Sequence, residues 1–225
     1  MNFDEFVLCA ATASLDDEPA AREHADAVEF RMDLAEDPIE ALEAYDGELP
    51  ILATNRADWE GGEATGHDRL SDLRDAAELD AVEAIDIELD SVRTEEGEQV
   101  AAAARDAGAA VVVSVHDFER TPSSADLRNV LSEATAVGDV GKLAVTARTP
   151  EDVLALLTAT EEFDARGERV ATMAMGEAGR HSRAVAPLYG SRIGYAPVDP
   201  DDATAPGQYD LATLRDLIDQ LQSGE

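Results

Sequence analysis

Positive charge is what this sequence has least of. Lysine and arginine supply 17 of 225 residues against 50 aspartates and glutamates, a formal net charge of −33 at pH 7. That sign excludes sequence-independent binding to nucleic acid, whose phosphates call for a basic surface, and adhesion to anionic membranes. Cysteine is nearly absent as well. The single Cys9 excludes internal disulfides and, inside an apolar run, reads as buried packing. No apolar run approaches the ~18 residues of a membrane span, and Met1-Asn2-Phe3-Asp4-Glu5 lacks the basic start of a signal peptide. A soluble protein of the cytoplasm is therefore expected. Also missing is a Gly-x-Gly-x-x-Gly cradle after the first candidate strand, which argues against a doubly wound dinucleotide-binding sheet.

What is present is enough apolar residue, 44%, to build a core despite the charge. Short apolar runs at 6–13, 27–31, 50–54, 84–89, 109–116, 140–147, 170–175 and 192–195 read as strands. Amphipathic stretches alternate with them, at roughly 16–25, 37–45, 68–79, 94–107, 123–137, 149–162, 179–189 and 210–220. Ser123 before Asp126, and Thr149-Pro150-Glu151-Asp152, are capping starts. Eight βα units without a linker, repeat or low-complexity segment fit one α/β domain over 1–225, a (β/α)8 TIM barrel near the short end of that fold's range. Residues 55–62, rich in glycine, read as a mobile loop.

Lys142 is the only lysine in the chain, and it lies in the apolar strand Gly141-Lys142-Leu143-Ala144-Val145-Thr146. A surface cation could as well have been one of the sixteen arginines. Burial disfavours an ammonium and favours the free amine that attacks a carbonyl. The blander reading is a lysine that snorkels out from a strand end. In a barrel, chemistry gathers at the C-terminal strand ends on inward side chains, and strand alternation identifies them. Glu29 and Arg31 share a face late in the second strand, Glu88 ends the fourth, His116 ends the fifth, and Met173 and Met175 share a face on the seventh. An ion pair, a core histidine and a strand-end acid would each be unremarkable alone. Together with Lys142 they make a site in which an amine forms an iminium, a histidine moves a proton and a carboxylate sets its tautomer. The arginines point to an anionic substrate.

These residues and their surroundings resemble the type I 3-dehydroquinate dehydratase family. The resemblance runs through Val28-Glu29-Phe30-Arg31, Ile87-Glu88-Leu89, Ser114-Val115-His116-Asp117-Phe118, Gly141-Lys142-Leu143-Ala144, Met173 to Arg183 and Ala205-Pro206-Gly207-Gln208. The acidic surface is similar to the version found in salt-accumulating archaea. The resemblance implies a cytoplasmic, homodimeric shikimate-pathway lyase without metal or cofactor that converts 3-dehydroquinate to 3-dehydroshikimate. Lys142 would form the Schiff base, His116 would act as base and then acid, and Glu88 would orient His116. Arg183 would hold the substrate carboxylate, while Glu29, Arg31, Arg56, Thr204 and Gln208 would complete the binding site, Gln208 from a closing loop. Thr204 departs from the family's serine by an added methyl. The family's N-terminal hairpin under the barrel floor is expected to be shortened here. Two alternatives stay open: another Schiff-base barrel of the aldolase or transaldolase kind, and a barrel kept as a non-catalytic scaffold.

A surface this acidic repels itself at low ionic strength. The unfolding midpoint is expected to rise between roughly 0.1 and 2 M KCl; an unchanged midpoint in a thermal melt would contradict this.

Overall fold

Valine, isoleucine and alanine dominate the eight apolar runs, and each run becomes a strand. In the computed structural model, which describes residues 1–66, 68–198 and 207–223, the strands are β1 (Val7–Thr12), β2 (Ala27–Arg31), β3 (Ile51–Thr54), β4 (Val82–Glu88), β5 (Ala110–Asp117), β6 (Val140–Thr146), β7 (Val170–Met175) and β8 (Ile193–Pro197). They form one sheet in the order β7-β6-β5-β4-β3-β2-β1-β8, with parallel neighbours throughout. The seam between β7 and β8 is narrower than a full ladder. There the Arg192 N–H donates to the Val170 carbonyl at 2.7 Å, and Ser191 Oγ accepts from the Thr172 N–H at 2.9 Å. The result is a nearly closed (β/α)8 barrel.

Helices fall where the amphipathic pattern put them, including Pro38–Ala44, Asp68–Ala77, Glu95–Ala107, Ser124–Val137, Pro150–Asp164 and Leu211–Gln222. The helix at 150–164 begins with a reciprocal capping box between Thr149 and Asp152 and a proline in its first turn. Two expected helices are much shorter. The stretch at 16–25 keeps only Glu18–Ala21. That at 179–189 reduces to Ser182–Val185 followed by a 3-10 turn, where Pro187 cannot donate a helical hydrogen bond. None of the described helices is long and apolar enough to cross a membrane.

Alternation sorts each strand into two faces. On β5, Val111 and Val113 join the outer core under the helices, whereas Val112 belongs to the inner cluster with Cys9, Ala27, Leu52, Ala84, Val140, Ala171 and Ile193. The inside of the barrel is thus apolar at the N-terminal strand ends. Phe3, 1% exposed, packs against this cluster from below. The segment carrying it is tied down by Arg192 Nη1, which donates to the Asp4 carbonyl at 2.8 Å. Towards the C-terminal strand ends the inner positions turn ionisable, and there the site forms.

Phe3→Ala is expected to remove about 3–5 kcal/mol of stability and lower Tm by about 6–20 °C. A thermal melt within about 2 °C of wild type would show that the floor does not depend on that ring.

Candidate active site

Lys142 sits midway along β6 on the inward face and is 4% exposed, so its ammonium cannot be solvated by bulk water. Nζ donates to Asp86 Oδ2 at 2.8 Å and lies 3.6 Å from Glu29 Oε1. Asp86 is inward on β4, and its second oxygen accepts from Ser114 Oγ at 2.6 Å and pairs with Arg56 Nη2 at 2.9 Å. Burial alone would raise the Asp86 carboxyl, but Arg56 and Lys142 outweigh it and hold the group well below the usual carboxylate range. Burial likewise opposes the charge of Arg56, and Asp86 and Glu88 more than offset it. Glu29, inward on β2, accepts from Thr54 Oγ1 at 3.1 Å.

His116 comes next, and here one expectation is corrected. Glu88 does not orient it. Glu88 Oε1 accepts from the Ala57 N–H at 3.0 Å and from Arg56 Nη1 at 3.2 Å. Its Oε2 accepts from Arg69 Nη1 at 2.8 Å and Ser91 Oγ at 3.0 Å. Glu88 is the last residue of β4, one inward position beyond Asp86, and Arg56 and Arg69 occupy both its oxygens. The carboxylate on His116 belongs to Glu60, whose Oε2 lies 2.8 Å from Nδ1 and also accepts the His116 N–H at 3.1 Å. Glu60 rides on the loop after β3, where the sequence suggested mobility. The loop is instead pinned by the Ala57–Glu88 bond and by the Gly62 N–H, which donates to the Ala57 carbonyl at 2.9 Å. Burial pushes Glu60 up to about 8, against Arg56, which pulls it down. Burial, Arg56 and Lys142 together drive His116 well below the ordinary imidazole value. Burial, the cost of charge in a closed site, is the largest cause of both shifts. Phe118 stacks on the imidazole at 5.9 Å between centroids.

Lys142, Glu29, Arg56, Glu60, His116 and Phe118 line one cavity together with Arg31, Met173, Met175, Arg183 and Gln208. Arg31 is held by Asp33 through Nε at 2.8 Å and Nη2 at 2.6 Å. Arg183 differs. Its Nε and Nη2 are buried with no hydrogen-bond partner among the described residues, and burial pulls it down to about 10. A buried guanidinium in that state presents N–H groups suited to an anion with two oxygens. Gly207 brings Gln208 to the rim: at φ +80°, a Cβ there would lie 2.7 Å from the Gly176 carbonyl, so only glycine lets the chain approach so closely. Thr204 lies outside the described residues. No cluster of three or more His, Cys, Asp or Glu among the described residues is arranged to hold a metal ion.

Lys142, His116, Glu29, Arg31, Arg56, Arg183 and Gln208 therefore meet at one cavity, and Glu88 lies behind Arg56. Asp86 and Ser114, which bond Lys142 and Arg56, and Glu60 and Tyr195 on the cavity wall were not expected. The first two could have been found by parity, Asp86 from Glu88 and Ser114 from His116. Glu60 had no periodic signal, because loops carry none.

The profile of the type I 3-dehydroquinase family matches residues 9–225. The chain is 61% identical to the 3-dehydroquinate dehydratase of Haloarcula marismortui over 99% of both chains. It is 54% identical to that of Halobacterium salinarum over 99% of this chain and 100% of the relative. Among solved structures, the 3-dehydroquinate dehydratase of Geobacillus kaustophilus superposes with a TM-score of 0.86 at 28% identity, covering 98% of this chain and 92% of that one. The type I enzyme of Clostridium difficile, solved with covalently modified comenic acid, gives 0.82 at 25% identity over 97% and 93%.

A carboxyl whose folded value is raised to about 8 favours the native state while protonated. The stability it lends is complete below the ordinary carboxylate range and is lost as pH rises through about 8. Glu60→Gln, which cannot ionise, should therefore gain Tm relative to wild type as pH goes from about 5 to 9. A Tm difference independent of pH would contradict the burial of Glu60 against His116.

Proposed function

The chain belongs to the type I 3-dehydroquinase family, and on that premise we propose how its residues dehydrate 3-dehydroquinate to 3-dehydroshikimate. Lys142 gives up a proton to become a free amine, with Asp86 and Glu29 the carboxylates within reach. The amine nitrogen adds to the ring ketone carbon, the carbonyl oxygen leaves as water, and a protonated imine joins Lys142 to the ring. The imine draws electrons, so the neighbouring C–H becomes acidic. His116 Nε2 takes that proton, and the C–H pair moves towards the imine nitrogen to give an enamine. The enamine then expels the hydroxyl at the next carbon, which leaves as water with the proton from His116. Hydrolysis of the conjugated imine returns the amine and releases product.

The supporting role of Glu60 follows from its bond to Nδ1. In its ionised form Glu60 accepts the Nδ1 proton, which leaves the Nε2 lone pair facing the cavity and stabilises the imidazolium once it forms. Arg183 would take the substrate carboxylate as a paired anion, which is where its unpartnered nitrogens lead. Glu29, Arg31 and Gln208 would meet the ring hydroxyls, and Thr204 the carboxylate side. Arg56 is given a different part from a direct substrate contact, because its nitrogens are engaged with Asp86, Glu88 and Ser114. It holds Asp86, and Glu88 holds Arg56, so Glu88 acts two steps back from the chemistry. In this reading residues 1–225 work as one catalytic domain of a cytoplasmic homodimer that feeds the shikimate pathway.

The observation that carries the reading is a lone buried amine in the same cavity as a carboxyl-bound imidazole and a guanidinium whose Nε and Nη2 have no partner among the described residues. Incubation with 3-dehydroquinate should generate the absorbance of a conjugated enone. Lys142→Ala should reduce that rate to background while equilibrium binding of substrate is largely kept. Turnover at the wild-type rate in that variant would refute the assignment.

A further inference from the structure

Tyr195 has no place in the reaction as described, yet it touches the reacting nitrogen. Lys142 Nζ lies 4.0 Å above the centroid of its ring. Of the Phe, Trp and Tyr residues in β1–β8 there are two. Phe30 packs in the outer core under the helices, and Tyr195 alone faces the barrel interior. It is 4% exposed, and its hydroxyl is buried with no hydrogen-bond partner among the described residues. A buried orphan hydroxyl costs about 1–3 kcal/mol, so the hydroxyl is not what fixes the side chain there. The contact that its position does make is between the ring face and a cation.

We propose that Tyr195 is a further catalytic residue, whose ring face carries part of the positive charge of Lys142 both as ammonium and as the protonated imine. The inference rests on Lys142 as the imine-forming group. Its physical content lies in how the nitrogen changes during condensation. The ammonium has three N–H groups, and Asp86 at 2.8 Å and Glu29 at 3.6 Å sit where such groups point. The protonated imine has one N–H. It satisfies one carboxylate at most, and its charge is shared with the imine carbon. A ring quadrupole needs no N–H and attracts the charge in both forms. The other charged or titratable groups around Nζ are His116 on β5, Arg56 behind Asp86, and Cys9 on β1, whose thiol burial and Glu29 push well up. None of them stabilises a cation, since the imidazole and thiol are held neutral and Arg56 repels. The ring is thus a stabilising contact on the nitrogen that does not depend on how many N–H groups it carries.

The test compares Tyr195→Phe, which keeps the ring, with Tyr195→Leu, which removes it. Tyr195→Met, a flexible filler of the same space, replaces the leucine variant if that one does not fold. The readouts are kcat and the pH dependence of borohydride trapping of the substrate imine. Tyr195→Phe is expected within about twofold of wild type, with an unchanged trapping profile and a higher Tm. Tyr195→Leu is expected to change the acidity of the nitrogen by about 5- to 30-fold, the size of a desolvated cation–π contact. Its half-maximal trapping should move to lower pH accordingly, since a cation is easier to deprotonate once the ring is gone. A wild-type trapping profile in the leucine variant would overturn the inference alone. An equal shift in the phenylalanine variant would overturn it too, by assigning the effect to the hydroxyl. No trapping in the wild-type enzyme would instead remove the premise that Lys142 forms the imine.

Discussion

The contact between Lys142 and Asp86 is the constraint on which the rest of the site depends. Two opposite charges taken out of water each lose several kcal/mol of solvation, and their attraction returns this only if the remaining hydrogen-bonding capacity is met. Lys142 leans on Asp86, Asp86 on Arg56 and Ser114, Arg56 on Glu88, and Glu88 on Arg69 and Ser91. Sign alternates at every step, so no charge is left alone. The chain of contacts crosses from β6 through β4 to the helix at 68–77 and anchors the loop that carries Glu60. Placement of His116 is thereby coupled to placement of Lys142 through a single polar network.

Against that satisfied network, Arg183 stands out because its Nε and Nη2 are buried without a hydrogen-bond partner among the described residues. The contrast separates what the fold completes by itself from what it leaves for substrate. In the proposed reading, a desolvated guanidinium is where a substrate carboxylate would gain most on binding. The overall charge of −33 gives this local cation added weight. An anionic substrate approaches a repelling surface, and salt both screens that repulsion and relieves the surface's own.

Much of this was legible in the sequence. The alternation of apolar runs with amphipathic stretches located all eight strands, because burial on both faces of a parallel sheet enforces it. Strand parity placed Glu29, Arg31, His116 and Lys142 on the inside, and the rarity of lysine singled out Lys142. What parity does not carry is pairing across the barrel. Glu88 and Glu60 are both acids near the fourth strand's end in space, yet only one reaches His116, and the choice is made by Arg56 and Arg69 taking up Glu88. The loop at 55–62 looked mobile from its glycines, whereas those glycines serve close packing: a Cβ on Gly62 would lie 2.0 Å from the Arg56 carbonyl. The helix at 179–189 was overdrawn for a related reason, since a tight turn and Pro187 interrupt a pattern whose apolar spacing alone looked continuous.

A covalent link between substrate and the one lysine is what everything above requires. Treating the enzyme with 3-dehydroquinate and borohydride, then mapping the peptides by mass, tests it most directly. The account predicts one reduced adduct, carried by the peptide that contains Lys142. Active turnover with no gain of mass at that peptide would contradict it.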